Sequence, residues 1–169
     1  MAYFFCADEH YGHGKILTYC KRPFADLGEM HEALISNHNS IVGKNDITIH
    51  AGDFAFGKKE EVGKIIQRLN GNHIFLKGSH DRWLTDAAKI MWRGHVEKQF
   101  IVVCHYAMRT WERAYYGSWN LFGHSHGTLE PIGKQWDIGV DTNNFKPYSF
   151  EQLKVIMAER PMRTDHDRS

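Results

Sequence analysis

The chain has 169 residues, a length typical of one domain, and its hydrophobic content of 42% is enough for one buried core. With 21 basic and 20 acidic residues its formal charge is +1, so it lacks the broad positive field of proteins that bind long nucleic acids. It also contains no apolar run of the roughly 20 residues that cross a bilayer and no recognisable signal peptide. These features predict a cytoplasmic protein without a membrane partner.

The domain organisation is predicted to be simple. We expect a single domain over residues 1–161 and a polar C-terminal tail over residues 162–169, where charged residues dominate. Three cysteines without a C-x-x-C pair favour a reducing compartment. The unusual feature of the composition is its 12 histidines, because histidine is the commonest metal ligand in proteins.

Strands and helices alternate in the first half of the chain. Apolar runs predict buried strands over residues 3–7 and 47–49. Between them, apolar residues at helical spacing predict a helix over roughly residues 29–42. The same spacing predicts a helix over residues 62–69, and a strand over residues 74–76 follows it.

The second half contains mostly strand signals. Residues 100–104 form a continuous apolar run rich in β-branched residues, which is typical of a strand buried on both faces. Shorter strands are predicted over residues 119–122 and 136–140. A last helix is predicted to begin near Ser149, because Ser149 and Gln152 have the spacing of a capping box. This order of elements favours an α/β protein with its chemistry at the strand ends.

Polar clusters follow five of the predicted strands. In chain order they are Asp8-Glu9-His10, Gly52-Asp53, Gly78-Ser79-His80-Asp81, His105 and Gly123-His124-Ser125-His126. Asp8 and His10 are two residues apart, so on an extended segment their side chains would point the same way. Histidine nitrogens combined with carboxylate oxygens suit Mn, Fe or Zn better than Ca or Mg. We therefore predict a metal site at the strand ends.

These motifs occur in the order D-x-H, G-D, G-x-H-D, a lone H and G-H-x-H, over residues 8–126. The pattern resembles the calcineurin-like metallophosphoesterase family, and within it the small bacterial and phage-type phosphoesterases. The resemblance implies the family's four-layer αββα sandwich, in which helices flank two mixed β-sheets. It also implies two divalent cations as cofactors, with Mn²⁺ preferred and Fe, Zn or Ni as alternatives.

The resemblance implies a role for each matched position. The implied metal ligands are Asp8, His10 and His126 for the first ion, Asp53 as the bridge, and His105, His124 and Ser79 for the second ion. His80 would be the catalytic histidine near the leaving oxygen, and Asp81 the carboxylate that orients it. Ser79 departs from the family, which has Asn there. A hydroxyl is a poorer neutral ligand than an amide carbonyl, so we expect a weaker second site and reduced activity.

The implied reaction is hydrolysis of a phosphodiester or phosphomonoester by attack of a metal-bound hydroxide. A diester is slightly preferred, because His80 can assist a poor alkoxide leaving group. We expect a small phosphate ester as substrate, which includes nucleotides and nucleic-acid ends, and no obligate protein partner is evident. Arg109 and Trp111 are candidate substrate contacts, the first for phosphate and the second for a base or an apolar leaving group. Arg109 fits a solvated helical face equally well.

Two other functions fit parts of the sequence. The first is a metal-binding scaffold without catalysis, which the departure at Ser79 favours and the intact His80 and Asp81 disfavour. The second is a nucleic-acid-binding module that uses Arg109, Trp111 and Arg113. The near-neutral charge of the chain argues against this second alternative.

Overall fold

The computed structural model describes residues 1–163, and their eight strands form two mixed sheets. The strands of the first sheet are β1 (Tyr3–Cys6), β2 (Ile47–His50), β3 (Asn72–Phe75) and β8 (Tyr148–Ser149). Their spatial order is β3, β2, β1, β8. The first three are parallel and β8 is antiparallel to β1.

The second sheet lies face to face with the first. Its strands, in spatial order, are β4 (Met91–Val96), β5 (Gln99–Cys104), β6 (Trp119–Phe122) and β7 (Gln135–Asp137). Strands β5, β6 and β7 are parallel, whereas β4 is antiparallel to β5. A parallel bridge between Ala7 and Gly139 joins the end of β1 to the end of β7.

Four α-helices accompany the sheets in the described residues. They are α1 (Ile16–Tyr19), α2 (Leu27–Asn39), α3 (Lys59–Ile66) and α4 (Phe150–Glu159). Asp26 caps α2 by accepting a hydrogen bond from the Glu29 N–H, and α4 begins with the predicted capping box of Ser149 and Gln152. Within residues 1–163, none of these helices combines the length and the apolar character that crossing a membrane requires.

The apolar core has one layer between the sheets and one under the helices. Phe5 and Ile49 from the first sheet meet Ile101, Val103 and Leu121 from the second, and none of these side chains is exposed. Because side chains alternate along a strand, the intervening residues face outwards. The layer under the helices joins Cys6 and Phe54 to Met30, Leu34 and Val62. Val102 packs on Trp111 and Ala114, in and beside a short 3₁₀ helix over Ala114–Tyr116.

The predicted elements are present, with shifted ends. The helix predicted over residues 29–42 begins earlier, because Asp26 caps it, and ends at Asn39. Strand β3 begins at Asn72 instead of residue 74, because the Asn72 N–H donates to the Asp46 carbonyl at 2.8 Å and so starts the pairing with β2. Likewise α3 ends at Ile66 instead of residue 69, and β7 stops at Asp137.

Strand β4 was not predicted from the sequence. Its residues are alternately exposed and partly buried, but Arg93, Gly94 and His95 interrupt the apolar pattern. Its pairing with β5, from Met91 opposite Cys104 to Val96 opposite Gln99, supplies what local sequence lacks. The strand is therefore stabilised by its pairing with β5 and not by its local sequence.

The predicted tail begins with Met162 and Arg163, and its residues 164–169 lie outside the described part of the chain. Arg163 is 8% exposed, and its guanidinium donates to the Arg109 carbonyl. It also lies over the rings of Trp111 and Tyr115, each at 5.7 Å. The boundary at residue 161 stays a prediction.

Three histidines, His38 on α2, His50 on β2 and His73 on β3, form a cluster between this helix and the first sheet. His50 Nε2 lies 3.0 Å from His73 Nδ1, and His38 Nε2 lies 3.0 Å from the Asn70 carbonyl. Burial lowers the pKa of His38 to about 4 and the pKa of His73 to about 3. His38 and His73 are therefore neutral near pH 7 in the folded protein.

Acid should destabilise the protein partly through His38. The unfolded chain has the ordinary histidine pKa and binds more protons than the folded chain, so stability falls as the pH drops from about 6.5 towards the folded value. Between about pH 7 and about pH 5 this residue should cost about 2 kcal/mol. In a His38→Gln variant the amide can still donate to the Asn70 carbonyl, but it does not titrate. On acidification from pH 7 to pH 5, the free energy of unfolding should therefore fall by about 2 kcal/mol less in this variant than in wild type. Urea unfolding at the two pH values, with EDTA present, measures the difference.

The exposed His95 provides the matched control. A His95→Gln variant should keep the acid sensitivity of wild type. If His38→Gln and wild type lose the same stability on acidification, His38 does not contribute to the acid sensitivity.

Candidate metal centre

The predicted site residues lie at the carboxyl ends of parallel strands from both sheets. In chain order, β1 leads to Asp8 and His10, β2 to Asp53, β3 to Ser79, His80 and Asp81, β5 to His105, and β6 to His124 and His126. The Ala7 N–H donates to the Ile138 carbonyl at 3.1 Å, which holds the two sets of strand ends together. Residues far apart in sequence therefore converge at one edge of the sandwich.

The structure brings the predicted ligands together as two groups of three. In one group, ligand atoms of Asp8, His10 and His126 all lie within 4.8 Å of one another. The other group consists of Asp53, His105 and His124, with ligand atoms inside the same limit. These are the two sets that the resemblance assigned to the first and the second ion, with Asp53 as the bridge.

Asp53, a member of the second group, also faces the first group. Its Oδ2 is 3.3 Å from His105 Nε2 on one side and 3.9 Å from His10 Nε2 on the other. One carboxylate oxygen therefore faces histidines of both groups. A ligand shared by two ions has to occupy this position.

The backbone at the site is unusual. Five of the predicted ligands have a positive φ, namely Asp8 (61°), His10 (55°), Asp53 (54°), His124 (68°) and His126 (47°). Non-glycine residues seldom adopt this left-handed region, and such strain concentrates at functional sites. The prediction that Asp8 and His10 lie on an extended segment was therefore wrong. Hydrogen bonds hold the turn instead, from the Asp8 N–H to Gly52 and from the His10 N–H to Asp53.

Two glycines let the loops approach closely. A Cβ on Gly78 would lie 2.3 Å from Asp53 Oδ1, and a Cβ on Gly123 would lie 2.5 Å from the Ala7 Cβ. Real Cβ atoms do not occupy such positions, so any side chain at either glycine would push a ligand loop away. These are the close approaches that the glycines beside the ligands indicated.

Neighbouring groups orient the ligand histidines. His105 Nδ1 lies 3.0 Å from the Ala51 carbonyl, and His126 Nδ1 lies 2.7 Å from Asp141 Oδ2. An Nδ1–H that donates to an oxygen leaves Nε2 with its lone pair free, and this is the usual arrangement around a metal-bound imidazole. Both rings therefore present Nε2 as the ligand atom.

Two buried nitrogens test whether the site fits metal ions. Within residues 1–163, His10 Nε2 and His105 Nε2 are buried and have no hydrogen-bond partner. Buried polar atoms almost always have one. Both nitrogens face Asp53, so a divalent cation beside that carboxylate would satisfy them, and the donor set fits metal ions.

The electrostatics of the site also favour a cation. Burial raises the pKa of Asp8 well above its ordinary value, against the hydrogen bond from the His124 N–H, and the Asp137 carboxylate adds to the rise. Burial also raises the pKa of Asp53, but the adjacent His105 imidazole outweighs this and the pKa lies well below its usual range. Burial lowers the pKa of His10 to about 3. A cation at the site would stabilise the ionised form of both carboxylates beside the neutral His10 imidazole.

Ser79 and His80 both contact the central carboxylate. Ser79 Oγ donates to Asp53 Oδ2 at 3.0 Å, and the His80 N–H donates to Asp53 Oδ1 at 2.8 Å. The His80 side chain is 43% exposed, and its Nε2 lies 3.8 Å from Asp53 Oδ2. Its ring stacks on Phe56 at 4.6 Å. His80 is therefore held at the open side of the site, where a bound substrate can reach it.

Asp81 does not orient His80, contrary to the prediction. It is 1% exposed, and its carboxylate accepts hydrogen bonds from the N–H groups of Asp53, Phe54 and Gly78 and from Trp83 Nε1. The carboxylate is directed into the loop that follows β2. Asp81 therefore fixes the backbone of the loop that carries Asp53.

The structure separates the two predicted substrate contacts. Trp111 is 6% exposed, packs on Val102, and donates its Nε1–H to the Ser118 carbonyl at 3.1 Å. Its ring is part of the core and is not available for stacking on a substrate, so that prediction was wrong. Arg109 is exposed, and its substrate contact stays a prediction.

Arg22 and Asp141 support the site but were missed in the sequence. Arg22 is 5% exposed and donates to the carbonyls of Asp8 and Glu9 at 2.6 and 2.9 Å. It also makes a bidentate pair with Asp141 at 2.7 and 2.8 Å, and Asp141 in turn holds His126. No local pattern marks these residues, because Arg22 and Asp141 are 119 positions apart.

His13 also lies at the site, although it was not among the predicted site residues. Its Nδ1 lies 3.2 Å from His10 Nδ1, and its ring stacks on Phe56 at 4.1 Å. Its spacing of three residues from His10 was the only sequence signal, and that spacing also suits a histidine in a solvent-facing loop. The structure places it beside the first ligand group.

Comparisons with known proteins show relatives along most of the chain. No model of a known protein family matches the sequence. The uncharacterised protein MJ1445 of Methanocaldococcus jannaschii is 29% identical over 171 residues, which cover 95% of this chain and 94% of that protein. AQ665, a protein of unknown function from Aquifex aeolicus, has a crystal structure that matches with a TM-score of 0.69 at 18% identity, over 92% of this chain and 98% of that chain. Yfce, a phosphoesterase from E. coli, matches with a TM-score of 0.42 at 17% identity, over 82% of this chain and 76% of that chain.

The match to AQ665 spans nearly the whole length of both chains and shows a shared fold. The architecture itself consists of two mixed four-stranded sheets, face to face and flanked by helices. The carboxyl ends of their parallel strands meet at one edge. The chain therefore has the four-layer αββα sandwich that the resemblance implied.

Proposed function

We propose that the protein is a phosphoesterase that uses two divalent cations, with Mn²⁺ preferred, to hydrolyse a phosphodiester or phosphomonoester. The observation that carries the proposal is the pair of three-residue ligand groups, in which Asp53 of the second group also faces His10 of the first. Unpartnered buried nitrogens on His10 and His105 support metal binding at both groups. A pair of such groups sharing one carboxylate suits phosphate chemistry, in which two ions divide the charge.

The residues that would hold the ions follow from the two groups. Asp8, His10 and His126 would hold one ion, and His105 and His124 the other, with Asp53 shared and Ser79 beside the second group. Bound there, two divalent cations would supply Lewis-acid polarisation of the phosphate oxygens and a water nucleophile at neutral pH. Arg22 and Asp141 would keep His126 and the Asp8 backbone in place, since each bonds directly to that part of the site.

His80 would move the proton of the reaction. Its imidazole is accessible, and stacking on Phe56 together with the backbone bond to Asp53 restricts where the ring can lie. A protonated His80 can donate to the oxygen that leaves the phosphorus, which matters most when the leaving group is an alkoxide. This is the reason to prefer a diester with an alkyl leaving group.

The structure argues against one of the two alternative functions, the nucleic-acid-binding module, but not against the metal-binding scaffold. A nucleic-acid-binding module would need Trp111 as a stacking platform, and that ring is buried. A metal-binding scaffold without catalysis shares every ligand with the phosphoesterase. Only a measurement of turnover distinguishes the scaffold from the phosphoesterase.

The first prediction from this proposed function concerns metal dependence. Purified protein should bind two Mn²⁺ ions per chain by elemental analysis and should hydrolyse bis-p-nitrophenyl phosphate or p-nitrophenyl phosphate. EDTA should abolish the turnover and added Mn²⁺ should restore it, because the proposed nucleophile is a water that the bound ions activate. Bound metal without turnover of either ester would contradict the proposal and favour the scaffold.

The second prediction concerns His80. A His80→Ala variant should retain both metal ions and lose about 10²–10⁴-fold in kcat on an alkyl phosphate ester. The loss should be smaller on p-nitrophenyl esters, because p-nitrophenolate leaves without being protonated. A His95→Ala variant, at an exposed histidine outside the site, is the control. If kcat falls equally on alkyl and p-nitrophenyl esters, His80 does not donate the proton to the leaving group.

The third prediction concerns Ser79. In a Ser79→Asn variant the amide oxygen reaches further than the hydroxyl, so the second ion should bind more tightly and turnover at limiting Mn²⁺ should rise. A Ser79→Ala variant should bind the second ion no better than wild type. Metal titration followed by calorimetry checks both variants, and weaker binding in Ser79→Asn would show that Ser79 does not limit the site.

A further inference from the structure

An apolar pocket opens beside the second ligand group. Its volume is ≈ 380 Å³, within the range of small-molecule binding sites. The residues that matter for its chemistry are Gly78, Ile90, Met91, His105, Tyr106 and Met108. The pocket is thus large enough for an organic group of the size of a benzene ring or a short alkyl chain.

The pocket and the metal centre share a wall. His105 belongs to the second ligand group and also lines the pocket. The Tyr106 ring lies 4.8 Å from the His105 ring and 4.6 Å from the His124 ring, so it borders both spaces. A phosphate ester held at the metals would therefore have its organic group next to this pocket.

Three exposed apolar side chains line the pocket. Ile90 is 68% exposed, Tyr106 53% and Met91 38%, and all three line the same pocket. Apolar patches of this kind mark binding sites when they adjoin a polar centre. Methionine side chains at positions 91 and 108 can also adapt to ligands of different shape.

Two polar side chains of the pocket, Lys77 and Cys104, already have partners. Lys77 Nζ lies 2.8 Å from Asp86 Oδ1, and the Cys104 thiol donates to the Tyr106 carbonyl at 3.1 Å. A sugar placed here would give up water for few hydrogen-bond partners, because most of the lining is apolar, and this exchange is unfavourable. An alkyl or aryl group has no hydrogen bonds to lose.

We propose that this pocket binds the organic group of the substrate and that this group is apolar, an alkyl or aryl ester of phosphate. The inference rests on the proposed function, because it requires the phosphate to lie at the metal centre. An aryl group would lie against the Tyr106 ring, and an alkyl group would lie between Ile90, Met91 and Met108. The pocket thereby selects substrates by their organic group, while the metals select the phosphate.

Phosphonates test the pocket, because they carry one organic group and their C–P bond is not hydrolysed. The probes are methylphosphonate, phenylphosphonate, hexylphosphonate and 2-hydroxyethylphosphonate, titrated by calorimetry into the Mn²⁺-loaded protein. Phenyl- or hexylphosphonate should bind at least about 10-fold more tightly than methylphosphonate, from the area that the larger group buries. The 2-hydroxyethyl compound should bind no more tightly than methylphosphonate. The aryl and alkyl probes show which of the two groups the pocket prefers.

A pair of variants matched in exposure locates the effect. Ile90→Asp places a carboxylate in the pocket and should reduce the preference for phenyl- or hexylphosphonate over methylphosphonate to less than about 2-fold. Val155→Asp makes the same change at a side chain on α4 that is 66% exposed, against 68% for Ile90. This control should keep the wild-type preference.

The outcomes separate the inference from the proposed function. If wild type turns over esters and binds methylphosphonate, but shows no preference for the larger groups, the pocket proposal is overturned and the phosphoesterase stands. Equal preferences in Ile90→Asp and Val155→Asp would also overturn it. If the metal-loaded protein neither hydrolyses esters nor binds any phosphonate, both proposals fail together.

Discussion

The site depends on the junction between the ends of β1 and β7. The Ala7 N–H donates to the Ile138 carbonyl at 3.1 Å and the Val140 N–H donates to the Ala7 carbonyl at 3.0 Å, so the two sheets are joined by backbone hydrogen bonds where their strands end. One residue further on, the Asp8 carboxylate accepts the His124 N–H from the opposite sheet at 2.8 and 3.0 Å. Ligands from both sheets share one space because of this junction.

The junction also explains the strain and the charge around it. Strands that end together leave little room for the loops that follow, and five predicted ligands adopt left-handed backbone conformations there. Burying carboxylates in such a place is costly unless each has partners. Arg22 supplies them on one side, by pairing with Asp141 and bonding to the carbonyls behind Asp8. The central carboxylate, Asp53, faces histidines of both groups, and a cation bound there would compensate its charge.

The two sides of Asp53 have different surroundings, and each suits a different part of the proposed reaction. Towards the first group lie His80 and His13, both stacked on Phe56, so this side offers imidazoles for proton transfer. Towards the second group, Tyr106 leads from His124 into the apolar pocket. This arrangement fits the proposed ester hydrolysis, in which the phosphate would lie in the middle, proton transfer would occur on one side and the organic group would lie on the other.

Local sequence determined the elements and most of the candidate ligands. Apolar runs predicted the strands that build the core, and short motifs after the strands singled out the residues of both ligand groups, because a strand end followed by glycine, aspartate and histidine is visible within a few positions. Ser149 and Gln152 likewise predicted the start of α4 from a spacing of three. Strand β4 was not predicted, because Arg93 and Gly94 interrupt its apolar pattern and only pairing with β5 makes it a strand.

Tertiary structure alone decided what each side chain faces. Arg22 and Asp141 meet across 119 positions, so no local pattern could reveal their pairing. Trp111 and Asp81 both looked functional from their neighbours in sequence, yet the first is buried in the core and the second holds the loop that carries Asp53. The apolar pocket is assembled from β3, β4 and β5 ends that are separate in the chain. Residue type and spacing are encoded locally, whereas burial, partners and orientation depend on packing between distant segments, and these decide which polar residue becomes a ligand and which a support.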